Sequence, residues 1–207
     1  MIVVGYQLQY PDWRTGEKGI YFNYILGSNG LFIEASNPVL SARIPVADCP
    51  VRGLAPVTTR VALTYGSIPQ LFFDMALNVF LVTPDKEQYV GVKADAGYHI
   101  YSPVQAGEKA KVDYEVGDSV ILDMHSHPKM PAFFSPQDDK DEQGLKISVV
   151  VGRLDKVPMV LLRVGVYGYF YELEWKDIFD GTLTGAVEFD EEEVILEDEV
   201  HGQPSYF

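Results

Sequence analysis

His125 and His127 stand one residue apart at the head of "HSHPKMPAFFSPQD", which runs on through Ser135 to Asp138. Imidazoles and carboxylates are ligands for divalent cations, and two imidazoles side by side repel when protonated but can share one cation when neutral. Two histidines, one carboxylate and a water make an open tetrahedral zinc site, the ligand set of catalytic rather than structural zinc. With this chain's own content of His, Ser and Asp, H-x-H-x7-S-x2-D arises by chance in about 3 of 10,000 such chains. Coincidence is therefore a poor explanation. Ser135 and Asp138 also suit a helix cap, but a cap does not account for the histidine pair.

The elements that must hold these residues can be read around them. "SVILDMHSH" is a strand, and residues i and i+2 of a strand share a face, so both imidazoles emerge together at its end. Ser135-Pro136-Gln137-Asp138 begins a helix: a capping hydroxyl, proline at the first helical position, and a carboxylate three residues after the cap. This short acidic helix is expected to run to about Gly144, bringing Asp138 back toward the histidines. Upstream, a helix starts near Ser67 with Pro69 in its first turn. It carries Leu71, Phe72, Met75, Leu77, Val79 and Phe80 as a broad apolar surface, and Pro84 breaks it. "QYVGVKA", "GYHIYSP", "KISVVVGRL" and "VPMVLLRVGVYGYFYELEW" read as strands. "GIYFNYIL" and "GLFIEA" around "GSNG" make a hairpin, and "LSARIPVA" a further strand. The fold class expected is α+β, a mixed sheet flanked by helices. Residues 1–57 form a β-rich extension, 58–180 the main domain, and 181–207 an acidic tail.

The 207 residues and 47% apolar content suit one globular core with an extension. The formal charge of -14 disfavours nucleic acid as a partner, because phosphate binding needs clustered Lys and Arg. Eight of the acids fall in "EFDEEEVILEDE", residues 188–199, which reads as a solvated run. Cys49 is the single cysteine, so no intrachain disulfide forms and a reducing compartment fits. The start "MIVVGYQLQY" lacks a basic n-region, and the longest apolar run is broken by Arg163 and glycines. A cytoplasmic protein that does not span the membrane is expected.

The motif H-S-H-x7-S-x2-D, filled by His125, Ser126, His127, Ser135 and Asp138, resembles the JAMM motif of the JAB/MPN metalloprotease family. The resemblance implies a JAB/MPN-like zinc metallopeptidase domain over 58–180. It also implies one Zn²⁺ per chain held by His125, His127 and Asp138, with Ser135 stabilising the tetrahedral intermediate. The family places a glutamate, acting on the attacking water, near the start of the strand after the first helix. Glu87 in "VTPDKEQYVGV" fits that description. Glu108 and Glu115 are rivals by distance alone, but they lie in the polar stretch "AGEKAKVDYEVGD". Gln88-Tyr89 depart from the small residues usual after this glutamate. In that scheme Glu87 takes the proton of the water and returns it to the departing amine, while Ser135 donates to the developing oxyanion.

The wider pattern, with "GLFIEA", "PVRGL" and "RVGVYGYF", resembles the protein A family of the PRTRC system. That likeness implies a ubiquitin-like or sulfur-carrier protein as substrate, cut at its tail, and a ThiF-like activating enzyme as partner. A non-catalytic MPN-type scaffold is the alternative. A zinc deaminase requires H-x-E with a later C-x-x-C, which one cysteine cannot supply. His99 alternates with tyrosines as an ordinary strand side chain, and His201 lies in the tail. Phe133 and Phe134, just before Ser135, are expected to pack in the core, with a border of the substrate groove as the alternative for one of them, and Arg163 pairs with an acid on a neighbouring strand.

Overall fold

A computed structural model of the chain describes residues 1–102 and 120–189. Glu108, Glu115, His201 and most of the acidic run lie outside the described residues.

The first sheet is built from β1 (Val4–Gln9), β2 (Arg14–Glu17), β3 (Phe22–Gly27), β4 (Gly30–Ser36), β5 (Leu40–Ala47) and β6 (Arg60–Leu63), in the order β2-β1-β3-β4-β5-β6. All neighbours are antiparallel except β1 and β3. The β3–β4 hairpin turns at Ser28-Asn29, with Gly27 facing Gly30. Gly30 has φ +144°, and a Cβ there would meet the Ala47 carbonyl oxygen at 2.4 Å, so this corner requires glycine.

Helix α1 (Gln70–Val82) follows, framed as its prolines predict by Pro69 at the N-cap and by Pro84 just beyond its end. The second sheet contains β7 (Tyr89–Ala94), β8 (Tyr98–Tyr101) and β9 (Val120–Ser126). After α2 (Pro136–Asp141) come β10 (Leu145–Gly152), β11 (Met159–Val166) and β12 (Tyr169–Glu172), then α3 (Trp175–Ile178) and β13 (Val187–Glu188). The order is β12-β11-β10-β9-β7-β8, with β13 added beside β11; β9 and β10 run parallel. The apolar stretch 157–175 is divided by a tight turn at Tyr167-Gly168, both at positive φ. Helix α2 ends at Asp141, earlier than the expected Gly144, because Glu142 already has non-helical dihedrals.

The mixed sheet is as expected, but its flanking by helices is not. Among the described residues, strands hold 44% and helices 13%. The reason lies in the core. Ile33, Ala35, Ala42 and Ile44 of the first sheet share one buried cluster with Val149, Val151, Leu162 and Val164 of the second. A β-sheet therefore occupies much of the surface that a helical layer would have covered. Phe73 and Phe80 of α1, with Trp175 and Ile178 of α3, complete the same cluster. Each such side chain contributes roughly 1.5–3 kcal/mol when fully buried. No helix among the described residues is long and apolar enough to cross a membrane.

Candidate metal centre

Alternation along β9 separates two kinds of residue. Leu122 and Met124 are fully buried in the core shared by the two sheets. Asp123 and His125 point to the opposite face. His127 continues the ladder one step past the strand, its N–H donating to the Val151 carbonyl at 2.8 Å. The loop 128–134 is then stitched to the end of β10: Arg153 N–H donates to Met130 O at 2.7 Å and Leu154 N–H to Pro128 O at 2.8 Å. Gly152 makes this approach possible, since a Cβ there would lie 2.3 Å from the Ala132 nitrogen and the Pro131 carbonyl carbon.

That loop delivers Ser135 as the N-cap of α2, and the capping box is complete. Ser135 Oγ accepts from Asp138 N–H at 3.3 Å, and Asp138 Oδ2 accepts from Ser135 N–H at 2.6 Å. The box does more than start a helix. It occupies one carboxylate oxygen of Asp138 and leaves Oδ1 turned toward His125, 3.6 Å from Nε2. Because Ser135 Oγ acts as an acceptor in the cap, its own O–H remains free to donate. Capping and oxyanion stabilisation are thus compatible roles for one hydroxyl.

His125, His127 and Asp138 each offer one ligand atom within 4.8 Å of the others. His125 Nε2 and His127 Nδ1 are buried with no hydrogen-bond partner among the described residues. A buried polar atom left unsatisfied costs about 1–3 kcal/mol, and a cation would satisfy both nitrogens together. Burial pushes the His125 imidazolium down to a pKa of about 4, against the opposing pull of the Asp138 carboxylate, so the ring is neutral at pH 7 and able to ligate. The donor set fits Zn²⁺.

Ser126, between the histidines, has a structural task. Its Oγ accepts from Gln88 N–H and its N–H donates to Gln88 O, both at 3.0 Å. Tyr89 faces His125 in the β7–β9 register. The pairing therefore reaches Gln88, the residue that follows Glu87. The Glu87 side chain is exposed and outside the three-residue ligand group. Phe133 stacks obliquely on His127 with ring centroids 4.6 Å apart and is 40% exposed, which makes it a wall of the site. His99 lies exposed on β8, its Nε2 2.9 Å from the Asp95 carbonyl oxygen, and belongs to no ligand group among the described residues.

One polar group beneath the site was not foreseen, and another has partners other than those expected. Asp123 accepts from Tyr89 Oη and pairs with Lys146 Nζ at 2.6 Å. The i, i+2, i+4 placement of Asp123, His125 and His127 was the available signal. Arg163 pairs with Asp139 and Glu142 of the α2 segment, not with an acid on a neighbouring strand as expected. The cause is that β11 turns this side chain to the face that α2 covers.

Residues 78–164 match the family model described as prokaryotic homologs of the JAB domain. This segment is a JAB domain. It extends from within α1 into β11 and contains Glu87, His125, His127, Ser135 and Asp138, while the first sheet lies outside the match. No curated protein matches the chain.

Proposed function

We propose that the JAB domain is a zinc-dependent peptidase or isopeptidase of the JAMM type. Its substrate is the tail of a ubiquitin-like or sulfur-carrier protein. The observation that carries the catalytic reading is the pair of partnerless buried imidazole nitrogens beside the free oxygen of Asp138. His125, His127 and Asp138 hold the cation. Bound Zn²⁺ would supply Lewis acidity and lower the pKa of a water from about 15.7 toward 7. Glu87, one residue before the Gln88–Ser126 pairing, takes the proton of the attacking water and passes it to the departing amine. The Ser135 hydroxyl donates to the carbonyl oxygen as it becomes negative. An extended tail can lie along the exposed mouth beside Phe133, and a ThiF-like enzyme that activates the same carrier is the natural partner.

A non-catalytic scaffold is the second reading, favoured by the exposure of Glu87 outside the ligand group. Incubating the zinc-loaded protein with ubiquitin-like proteins that carry an extension after a Gly-rich tail separates the two. The peptidase reading predicts loss of the extension by mass spectrometry, abolished in His125→Ala and Glu87→Gln. A scaffold would bind the same proteins equally well in His125→Ala and cut none of them. Undiminished cleavage by Glu87→Gln would remove Glu87 as the base.

A further inference from the structure

Helix α2 carries a ligand of the proposed site, yet nothing apolar among the described residues fastens it. None of its six residues is buried, so it presents no greasy face to the sheet. The capping box shapes its first turn but ties it only to itself. The connection to the sheet comes from Arg163, in the middle of β11 and 6% exposed. Its Nε and Nη2 donate to Glu142 Oε2 at 3.0 and 2.7 Å, and its Nη1 donates to Asp139 Oδ1 at 2.8 Å. The Phe134 and Phe170 ring centroids lie 3.7 and 3.9 Å from its Cζ. These contacts bracket the site residues in sequence. Phe134 immediately precedes Ser135, Asp139 immediately follows Asp138, and Glu142 closes the helix.

We infer that Arg163 is a positioning residue of the metal centre, clamping α2 so that Asp138 completes the ligand set. This rests on the reading of His125, His127 and Asp138 as the cation ligands.

Energetics support a positional role over a purely stabilising one. A buried ion pair gains little net stability, because desolvating both charges offsets their attraction, and apolar replacements are often neutral or better. Burial holds the Glu142 carboxyl above its ordinary pKa even with the guanidinium beside it, which shows that the desolvation is substantial. What a guanidinium supplies beyond charge is a planar fork whose donors have fixed directions, together with a flat face for stacking. Here the fork fixes the angle of α2 and the face fixes Phe134. A lysine could keep the charge but neither constraint.

The test is Zn²⁺ affinity of the full chain, measured by competition with a chromophoric chelator at pH 7.5, alongside thermal unfolding of the zinc-free protein. Arg163→Met combined with Glu142→Gln leaves no buried unpaired carboxylate at Glu142 and should unfold within a few degrees of the wild type. Its zinc Kd should nevertheless rise about 10- to 100-fold, the usual effect of removing a group that orients a metal ligand. Arg163→Lys should stay folded and lose at least about tenfold in affinity. If the wild type binds zinc and Arg163→Lys binds it equally well, the clamp is overturned while the metal site stands. A Kd that moves only in step with the melting temperature across both variants also overturns it. A folded wild type that binds no zinc removes the ligand assignment itself, and the clamp with it.

Discussion

Acidification should destabilise the metal-free protein through His125, by an amount that can be worked out in advance. Burial lowers the folded-state pKa of this ring from 6.5 to about 4. Above pH 6.5 the ring is neutral in both states and contributes its full stability. As the pH falls from 6.5 toward 4, the unfolded chain binds the proton while the folded ring refuses it, and stability drains away. Below about 4 both states are protonated and the loss is complete. At 1.36 kcal/mol for each pH unit of that gap, the contribution amounts to about 3 kcal/mol. Other carboxylates titrate over the same interval, so the assay is a comparison: urea unfolding of wild type and His125→Asn, each zinc-free, at pH 7.5, 5.5 and 4. The wild type should lose about 3 kcal/mol more than the variant between the two extremes. Equal acid losses in the two proteins would refute the argument that burial keeps this ring neutral. With Zn²⁺ bound, the wild-type acid loss should steepen, because protons then compete with the metal for the same nitrogens.

Gly152→Ala should push the 128–134 loop off the end of β10, since backbone atoms stand within 2.5 Å of the added Cβ; a loss of about 1–3 kcal/mol in urea unfolding, together with weaker zinc binding, is expected. Ile44→Ala should cost about 2–5 kcal/mol and retain a single cooperative transition, because Ile44 lies in the core common to both sheets; two separate transitions would mean that the first sheet folds by itself. Ser135→Ala should reduce turnover about 10²- to 10³-fold if its hydroxyl donates to the oxyanion, while losing only about 1 kcal/mol of cap stability. A comparable stability loss with unchanged turnover would leave Ser135 as a cap alone.

Features that depend on a few neighbouring residues were legible in the sequence. The span of β5 matches "LSARIPVA" residue for residue, Pro69 and Pro84 frame α1, and Ser135 with Asp138 forms the capping box their spacing requires. Features that depend on distant pairing were not. The parallel partnership of β1 and β3 has no local signature, and the tyrosine-rich run 157–175 conceals its turn because Tyr167 adopts positive φ without being glycine. The larger difference concerns what covers the second sheet. Alternation in β4 and β5 identifies an apolar face but not its partner, so the layer of strands took the place of expected helices. At the site, types and spacing announced the two histidines and Asp138. The role of Ser126 in joining Gln88, and the grip of Arg163 on α2, required coordinates.

The most direct measurement is the zinc content of the purified, folded protein after removal of loosely bound metal. One zinc per chain in the wild type, falling to near zero in His125→Ala and in Asp138→Ala, is the predicted result. A wild type that unfolds cooperatively yet holds no zinc at micromolar free Zn²⁺, or an Asp138→Ala variant that holds it undiminished, would contradict the account.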